Sequence, residues 1–393
     1  MFDIVPLKGG LDNVEGFFCG GVSVGLKSEG RNDVAFIRTS KPALVGAVFT
    51  SNKFQAAPIK HFKRYGETFL TNFILINSKN ANAMTGEQGI NDIDDIFSSL
   101  PLPTVNPVMS STGVIGCRLN KSKIVKAFEL FDFEGKDSDA AARAIMTTDR
   151  FKKEICLRVD LKEGGSFHIA AIAKGAGMIC PSLATMLCFI ATDALTPQDE
   201  IINLLNEAAE ESFNAISVDG DTSTNDTLML ISSGKSGVWH KEAFTQALKL
   251  LTKEISLLIV KDGEGSKKVV AFEVKNAVTL QDAKSAAKAL SNSLLVKTAL
   301  FGEDPNWGRI ASTIGASGVI CDEERLYIKY DDVLVYSPSQ KEMSAEIESL
   351  AARVMKKESF KITCDLGAGD KSYTAYGCDL GHEYVSINAD YRS

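Results

Sequence analysis

Two apolar runs, Phe167 to Ala173 and Leu187 to Ala191, are split by Lys174-Gly175-Ala176-Gly177-Met178-Ile179-Cys180-Pro181-Ser182-Leu183-Ala184-Thr185-Met186-Leu187. No regular element runs unbroken through such a segment. Glycine carries the largest backbone entropy loss, and Pro181 lacks an N–H. A plain buried helix would need none of the glycines, the proline or the threonine. Thr185 sits at the exit, and two readings of it stay open. It is buried filler at the start of an apolar helix, or it is a latent nucleophile released when the chain cuts itself between Ala184 and Thr185. A hydroxyl attacks poorly while it keeps its proton. A free α-amine, with a pKa near ~8, is placed to take that proton, whereas the amide of an uncut chain is not.

The flanking pattern supports sheets interleaved with helices. Ile155–Val159 and Phe167–Ala173 read as strands joined through Lys162-Glu163-Gly164-Gly165. Leu44–Phe49, Phe73–Ile76, Leu228–Ile231 and Leu257–Val260 read as further strands. Asp139–Met146, Ala243–Ile255 and Gln281–Lys297 read as helices. Thr196-Pro197-Gln198-Asp199 predicts a capped helix start, with Ile201, Leu204, Leu205 and Ala208 on its apolar face. Leu326–Tyr330 and Val333–Tyr336 flank a turn at Asp331-Asp332. Ser339 with Glu342 predicts a capping box ahead of the Met343, Ile347, Leu350, Val354 stripe. A soft boundary falls near residues 276–280.

Several function classes are disfavoured. A net charge of −7 lacks the basic field of a nucleic-acid binder. No apolar run is long enough to span a bilayer, and MFDIVPLKGG has no signal-peptide pattern. The eight cysteines form no CxxC pair, which fits reduced thiols and a cytoplasmic location. Four histidines make a histidine-rich metal centre unattractive. Val218-Asp219-Gly220-Asp221-Thr222-Ser223-Thr224-Asn225-Asp226-Thr227 suggests calcium at first sight but lacks the length and terminal Glu of an EF-hand.

If Thr185 is a nucleophile, an acyl-transfer site needs donors aimed at the developing oxyanion. The small-residue loop Ser111-Thr112-Gly113 offers hydroxyls and N–H groups, or it is an ordinary turn. Lys174 suits a substrate carboxylate and Glu264 a substrate ammonium, unless both are solvated charges at the ends of elements.

The chain resembles the glutamate N-acetyltransferase family, also called ornithine acetyltransferase, of arginine biosynthesis, over essentially all 393 residues. KGAGMICPSLATML at 174–187 is the most specific match. STGVIG at 111–116, MTTD at 146–149, DGDTSTND at 219–226, DGEG at 262–265, GEDPNWGR at 302–309 and INADYRS at 387–393 follow the family order. The resemblance implies self-cleavage between Ala184 and Thr185 into chains 1–184 and 185–393, with Thr185 as the acetyl acceptor. It implies oxyanion donors at Thr112 and Gly113, and substrate contacts from Thr147, Lys174, Thr185, Glu264, Asn388 and Ser393. Serine stands at a last position where the family commonly has threonine.

The implied fold is an α/β layered sandwich of sheets flanked by helices, similar to self-processing N-terminal-nucleophile enzymes. A catalytic domain of residues 1–278 would precede a smaller domain, 279–393, whose tail returns to the site. The implied reaction moves acetyl from N2-acetyl-L-ornithine to L-glutamate without metal or organic cofactor, with acetyl-CoA as a second donor. The implied assembly has two α and two β chains. A self-processing aminopeptidase or amidase on a similar scaffold is the alternative.

Overall fold

The computed structural model describes residues 1–28, 30–180 and 186–390. Ala184, Thr185 and Ser393 lie outside the described residues. Nine strands make the first sheet: β1 (Phe2–Leu7), β2 (Phe17–Val22), β3 (Val34–Phe49), β4 (Thr68–Asn77), β5 (Val108–Ser111), β6 (Lys153–Leu161), β7 (Ser166–Lys174), β8 (Leu187–Thr192) and β9 (Thr227–Ser232). Their order is β1-β6-β7-β8-β9-β3-β4-β5, with β2 paired to β3. The helices among them are α1 (Ala57–Lys63), α2 (Gly86–Ser98), α3 (Lys121–Leu130), α4 (Ser138–Ala144), α5 (Ile201–Glu210) and α6 (Lys241–Lys261).

The long strand β3 makes the sheet a sandwich. Its first half, Val34–Arg38, pairs with β2 and with Phe73–Asn77 of β4. Its second half pairs with β9 and with Thr68–Thr71. The register shifts between Arg38 and Ala43, where Pro42 cannot donate to a ladder. Two wings thus face each other across one core, in which Ile37 and Ile74 meet Ile172, Phe189 and Met229. Period-two alternation turns the other residues outward. Phe167, Ile169, Cys188 and Leu230 pack under α5 and α6. Phe36, Phe73 and Leu75 pack under α2 and α3. The order helix, sheet, sheet, helix is the layered α/β sandwich expected.

The second sheet contains β10 (Val269–Ala277), β11 (Tyr327–Tyr330), β12 (Val333–Tyr336), β13 (Ser359–Asp365) and β14 (Lys371–Cys378) in the order β12-β11-β13-β10-β14. Helices α7 (Leu280–Asn292), α8 (Leu294–Phe301), α9 (Trp307–Ala316) and α10 (Ala345–Met355) pack with it in a core of its own. Helix α11 (His382–Asp390) follows β14. Val270, Phe272 and Val274 point into this second core, so β10 belongs to the second sheet although it precedes the expected 278/279 boundary.

Five local expectations are corrected. Leu257–Val260 is not a strand but the last turn of α6, because Phe244, Leu248, Leu251, Ile255 and Ile259 continue one buried helical stripe. Thr196 does not cap α5. The helix begins at Ile201, the Pro197 carbonyl accepts from the Glu200 and Ile201 amides at 3.2 Å each, and the Thr196 hydroxyl is buried without a partner among the described residues. Gln281–Lys297 is broken at Ser293, which caps α8 through the Val296 amide. Ser344 rather than Ser339 caps α10. The apolar run after Met186 is strand β8, not a helix. Lys174 pairs directly with Leu187, so the segment 175–186 connects two neighbouring antiparallel strands.

Candidate active site

The end of β7, the loop after β5, loops around Ala81, Thr147, Asn225 and Glu264, and helix α11 converge at this connection. They enclose a cavity of about 310 Å3. Thr112, Gly113, Thr147, Lys174, Glu264 and Asn388 all line it, joined by Gly177 and Met178 of the connection itself. Every described residue singled out in the sequence is therefore brought to one place. Thr148 lines the cavity beside Thr147.

The Thr112 loop is shaped by close approach. Gly113 has φ +131°, and a Cβ there would lie 2.2 Å from the Lys79 carbonyl carbon, so only glycine fits. The Thr112 amide donates to the Asn77 carbonyl at 3.0 Å. Asn225 Nδ2 clamps the loop from below, donating to the Ser111 carbonyl at 2.8 Å and the Ala81 carbonyl at 2.7 Å. Lys174, the last residue of β7, is 3% exposed, and its Nζ donates to Thr112 Oγ1 at 3.3 Å. Because that oxygen accepts, the hydroxyl proton of Thr112 is left to point elsewhere. Burial pulls the Lys174 ammonium below its ordinary pKa, while the Asp149 and Glu264 charges push back.

On the opposite side, the Glu264 amide donates to the Ala176 carbonyl at 2.9 Å. Its Oε2 accepts from Asn388 Nδ2 at 2.7 Å, which ties α11 to the cavity. Gly177 makes room for this carboxylate, since a Cβ there would lie 2.5 Å from Glu264 Cδ. Gly265 lets the same loop press against α11, where a Cβ would lie 2.8 Å from the Tyr384 amide nitrogen.

A buried ionic network, invisible in the sequence, supports these loops. Lys153 Nζ bridges Asp149 Oδ1 and Asp262 Oδ2, at 2.6 Å each, with all three side chains inaccessible. Asp149 also accepts from the Gly175 amide at 2.7 Å and from the Thr147 amide at 2.9 Å. Asp262 accepts from Arg150 Nε at 3.1 Å. The network joins the Thr147 turn, the Lys174 strand end and the Glu264 loop. Burial pushes the Asp149 carboxyl up, but the Lys153 and Lys174 charges and its hydrogen bonds outweigh burial and hold it below the usual carboxylate range. Two of the three aspartates that hinted at calcium hold backbone instead. Asp219 accepts from the Met178 and Ile179 amides at 2.6 and 2.9 Å, fixing Met178 at φ 58°. Asp226 accepts from the Met186 amide at 2.9 Å. The DGDTSTND match was the available signal for Asn225 and Asp226, and MTTD and DGEG for Asp149 and Asp262. Lys153, beside Lys152 in an unremarked pair, carried none.

The site pairs a buried ammonium with a carboxylate across a small cavity, beside a hydroxyl and a glycine-rich loop. This suits an amino-acid-sized ligand bearing both charges. No helix among the described residues is long and apolar enough to cross a membrane. The ArgJ family model matches residues 18–393. The chain is 57% identical over 396 residues to the arginine biosynthesis bifunctional protein ArgJ of Wolinella succinogenes, covering 100% of both chains. It is 39% identical over 405 residues to the glutamate N-acetyltransferase of Methanothermobacter thermautotrophicus, covering 98% of each. A crystal structure of the Bacillus halodurans ArgJ protein is 36% identical over 52% of this chain and 98% of that chain, with a TM-score of 0.49. With motifs, cavity and full-length relatives in agreement, the chain belongs to the ArgJ family.

Proposed function

We propose that this protein transfers acetyl from N2-acetyl-L-ornithine to L-glutamate through an acetyl-Thr185 intermediate. The observation that carries the reading is the meeting of Thr112, Gly113, Thr147, Lys174, Glu264 and Asn388, from five stretches of chain, around one cavity. The relatives' names, arginine biosynthesis bifunctional protein and glutamate N-acetyltransferase, support it.

Cleavage between Ala184 and Thr185 frees the Thr185 α-amine. That amine takes the hydroxyl proton as Oγ attacks the acetyl carbonyl. The Thr112 hydroxyl and the Gly113 amide stabilise the oxyanion. The ornithine amine leaves with a proton, and acetyl-Thr185 remains. Glutamate enters, its amine attacks the acetyl-enzyme, and N-acetyl-L-glutamate departs. Lys174 holds the carboxylate common to donor and acceptor. Glu264, with Asn388, faces a substrate ammonium, and Thr147 and Ser393 complete the contacts. The exchange needs no metal or organic cofactor. The mature form is two α and two β chains in the cytoplasm.

Intact-mass measurement tests the proposal. Pieces of 184 and 209 residues (393 − 184 = 209), the second beginning Thr-Met-Leu, are expected. Thr185→Ala is expected to leave one chain without acetyl transfer. A chain that stays whole, or a Thr185→Ala variant that still cuts, refutes the maturation. The bifunctional form adds acetyl-CoA as donor, because a thioester can form the same acetyl-enzyme. N-acetylglutamate made from glutamate and acetyl-CoA alone would establish it. Hydrolysis of small peptides with no transfer to glutamate would favour the aminopeptidase or amidase alternative.

A further inference from the structure

Asp226 is the last residue before β9, and it is fully buried. Its backbone carbonyl accepts from the Thr50 amide at 3.1 Å, which fixes it to the end of β3. Oδ1 accepts the Met186 amide at 2.9 Å. Oδ2 is buried with no hydrogen-bond partner among the described residues. Nearby Thr50 does not supply one, since its hydroxyl donates to the Ser223 carbonyl at 2.7 Å. An unmatched carboxyl oxygen in such a place is a standing penalty, larger for a charged group than for a neutral one. It calls for a purpose. Burial raises the Asp226 carboxyl well above its ordinary value, against the opposing Met186 amide, the neighbouring Thr50 hydroxyl and the Lys174 charge, so the group favours its neutral form, a proton donor.

Its address is specific. Met186 immediately follows Thr185, and the two backbone nitrogens are three covalent bonds apart. Bond lengths alone keep them within about 3.7 Å of each other, whatever the conformation. The carboxyl that accepts the Met186 amide at 2.9 Å therefore holds the residue next along the chain from the nitrogen at which the chain is cut.

We propose that Asp226 is the acid of the self-cleavage step, gripping the backbone just past the bond with Oδ1 and passing a proton to the departing Thr185 nitrogen through its second oxygen. This rests on the cleavage reading above. In the step, Thr185 Oγ forms a bond to the Ala184 carbonyl carbon, and the C–N bond breaks. The Thr185 nitrogen takes the Asp226 proton and becomes an amine, and the hydroxyl proton returns to the Asp226 carboxylate. An ester replaces an amide with no net gain or loss of protons. Water then hydrolyses the ester, leaving the Ala184 carboxyl and the free Thr185 hydroxyl. The neutral carboxyl remains beneath the new chain start.

The test follows conversion of the 393-residue chain into its two pieces by intact mass over time, for wild type, Asp226→Asn, Asp226→Ser and Asp226→Glu. Asparagine keeps the Met186 acceptor and the shape but transfers no proton. Positioned general acids contribute about 10²–10⁴-fold, so cleavage of Asp226→Asn should slow at least ~100-fold, with circular dichroism and melting like wild type. Asp226→Glu should cut faster than either the Asn or the Ser variant. Cleavage of the Asn variant at the wild-type rate overturns the proposal. If the Asn variant does not fold, a Ser variant that cuts as fast as Glu overturns it equally. A wild-type chain that never cuts overturns the cleavage reading as well, which separates the two failures.

Discussion

Gly177→Ala isolates one steric contact in the site. An alanine Cβ would lie 2.5 Å from Glu264 Cδ and Oε2 and 2.6 Å from Oε1, whereas ordinary contact begins at 3.4 Å. The carboxylate must retreat by 3.4 − 2.5 = 0.9 Å. Glu264 is 8% exposed and holds Asn388 at 2.7 Å, so the retreat displaces both groups from the cavity wall. A misplacement of about 1 Å costs about 10²-fold in rate, or about 2.7 kcal/mol in transition-state stabilisation. Stability should hardly change. Gly177 is outside the left-handed region, so alanine fits its backbone, and reduced unfolded-state entropy offers about 0.4–1 kcal/mol against the clash. The assay pairs steady-state transfer of acetyl from N2-acetylornithine to glutamate with a urea melt and intact mass. A kcat/KM lowered about 100-fold, in a chain that is cut and folded normally, is expected. An unchanged kcat/KM would refute the contact argument. A loss matched by a collapsed melt would mean that Gly177 serves the fold rather than Glu264.

Lys153→Met removes the cation that bridges two buried carboxylates, and should lower unfolding free energy by about 3–5 kcal/mol in a urea titration. The low-lying Asp149 carboxyl has a signed pH signature. Its stabilisation is full above the ordinary value of 3.8 and fades as pH falls through 3.8 toward the lower folded value. Urea melts from neutral to acid pH should show a slope there that Asp149→Asn flattens. Thr112→Ala should lower kcat by about 10²–10³-fold while Thr112→Ser keeps most activity, because the proposed oxyanion donor is the hydroxyl. Gly113→Ala meets the backbone of Lys79 at a positive φ and should destabilise the fold by about 2–3 kcal/mol in the same melts.

The site was largely legible in the chain, and the reason is chemical. Lys174, Thr112, Gly113 and Glu264 stand in motifs whose glycines admit close backbone approach, and those motifs survive as strings. The partners beneath them do not. Lys153 reads as one of two adjacent lysines, and only the fold makes Lys152 partly exposed and Lys153 inaccessible. Helix boundaries failed in the same way. Ser339 and Ser344 offer similar caps, and Leu257–Val260 is apolar enough for a strand, until packing against β6 and β7 extends α6 through it.

By itself, the sequence determined that the run from Lys174 is no plain buried helix, because glycine entropy and the missing proline N–H act locally. It determined the β6–β7 hairpin for the same reason, since a period of two is a local property. The tertiary structure alone decided that Lys174 and Leu187 are partners, that five distant stretches of chain share a cavity, and that Asp226 lies buried against the Met186 amide. Burial and pairing are sums over neighbours far apart in the chain, and only the fold supplies those neighbours.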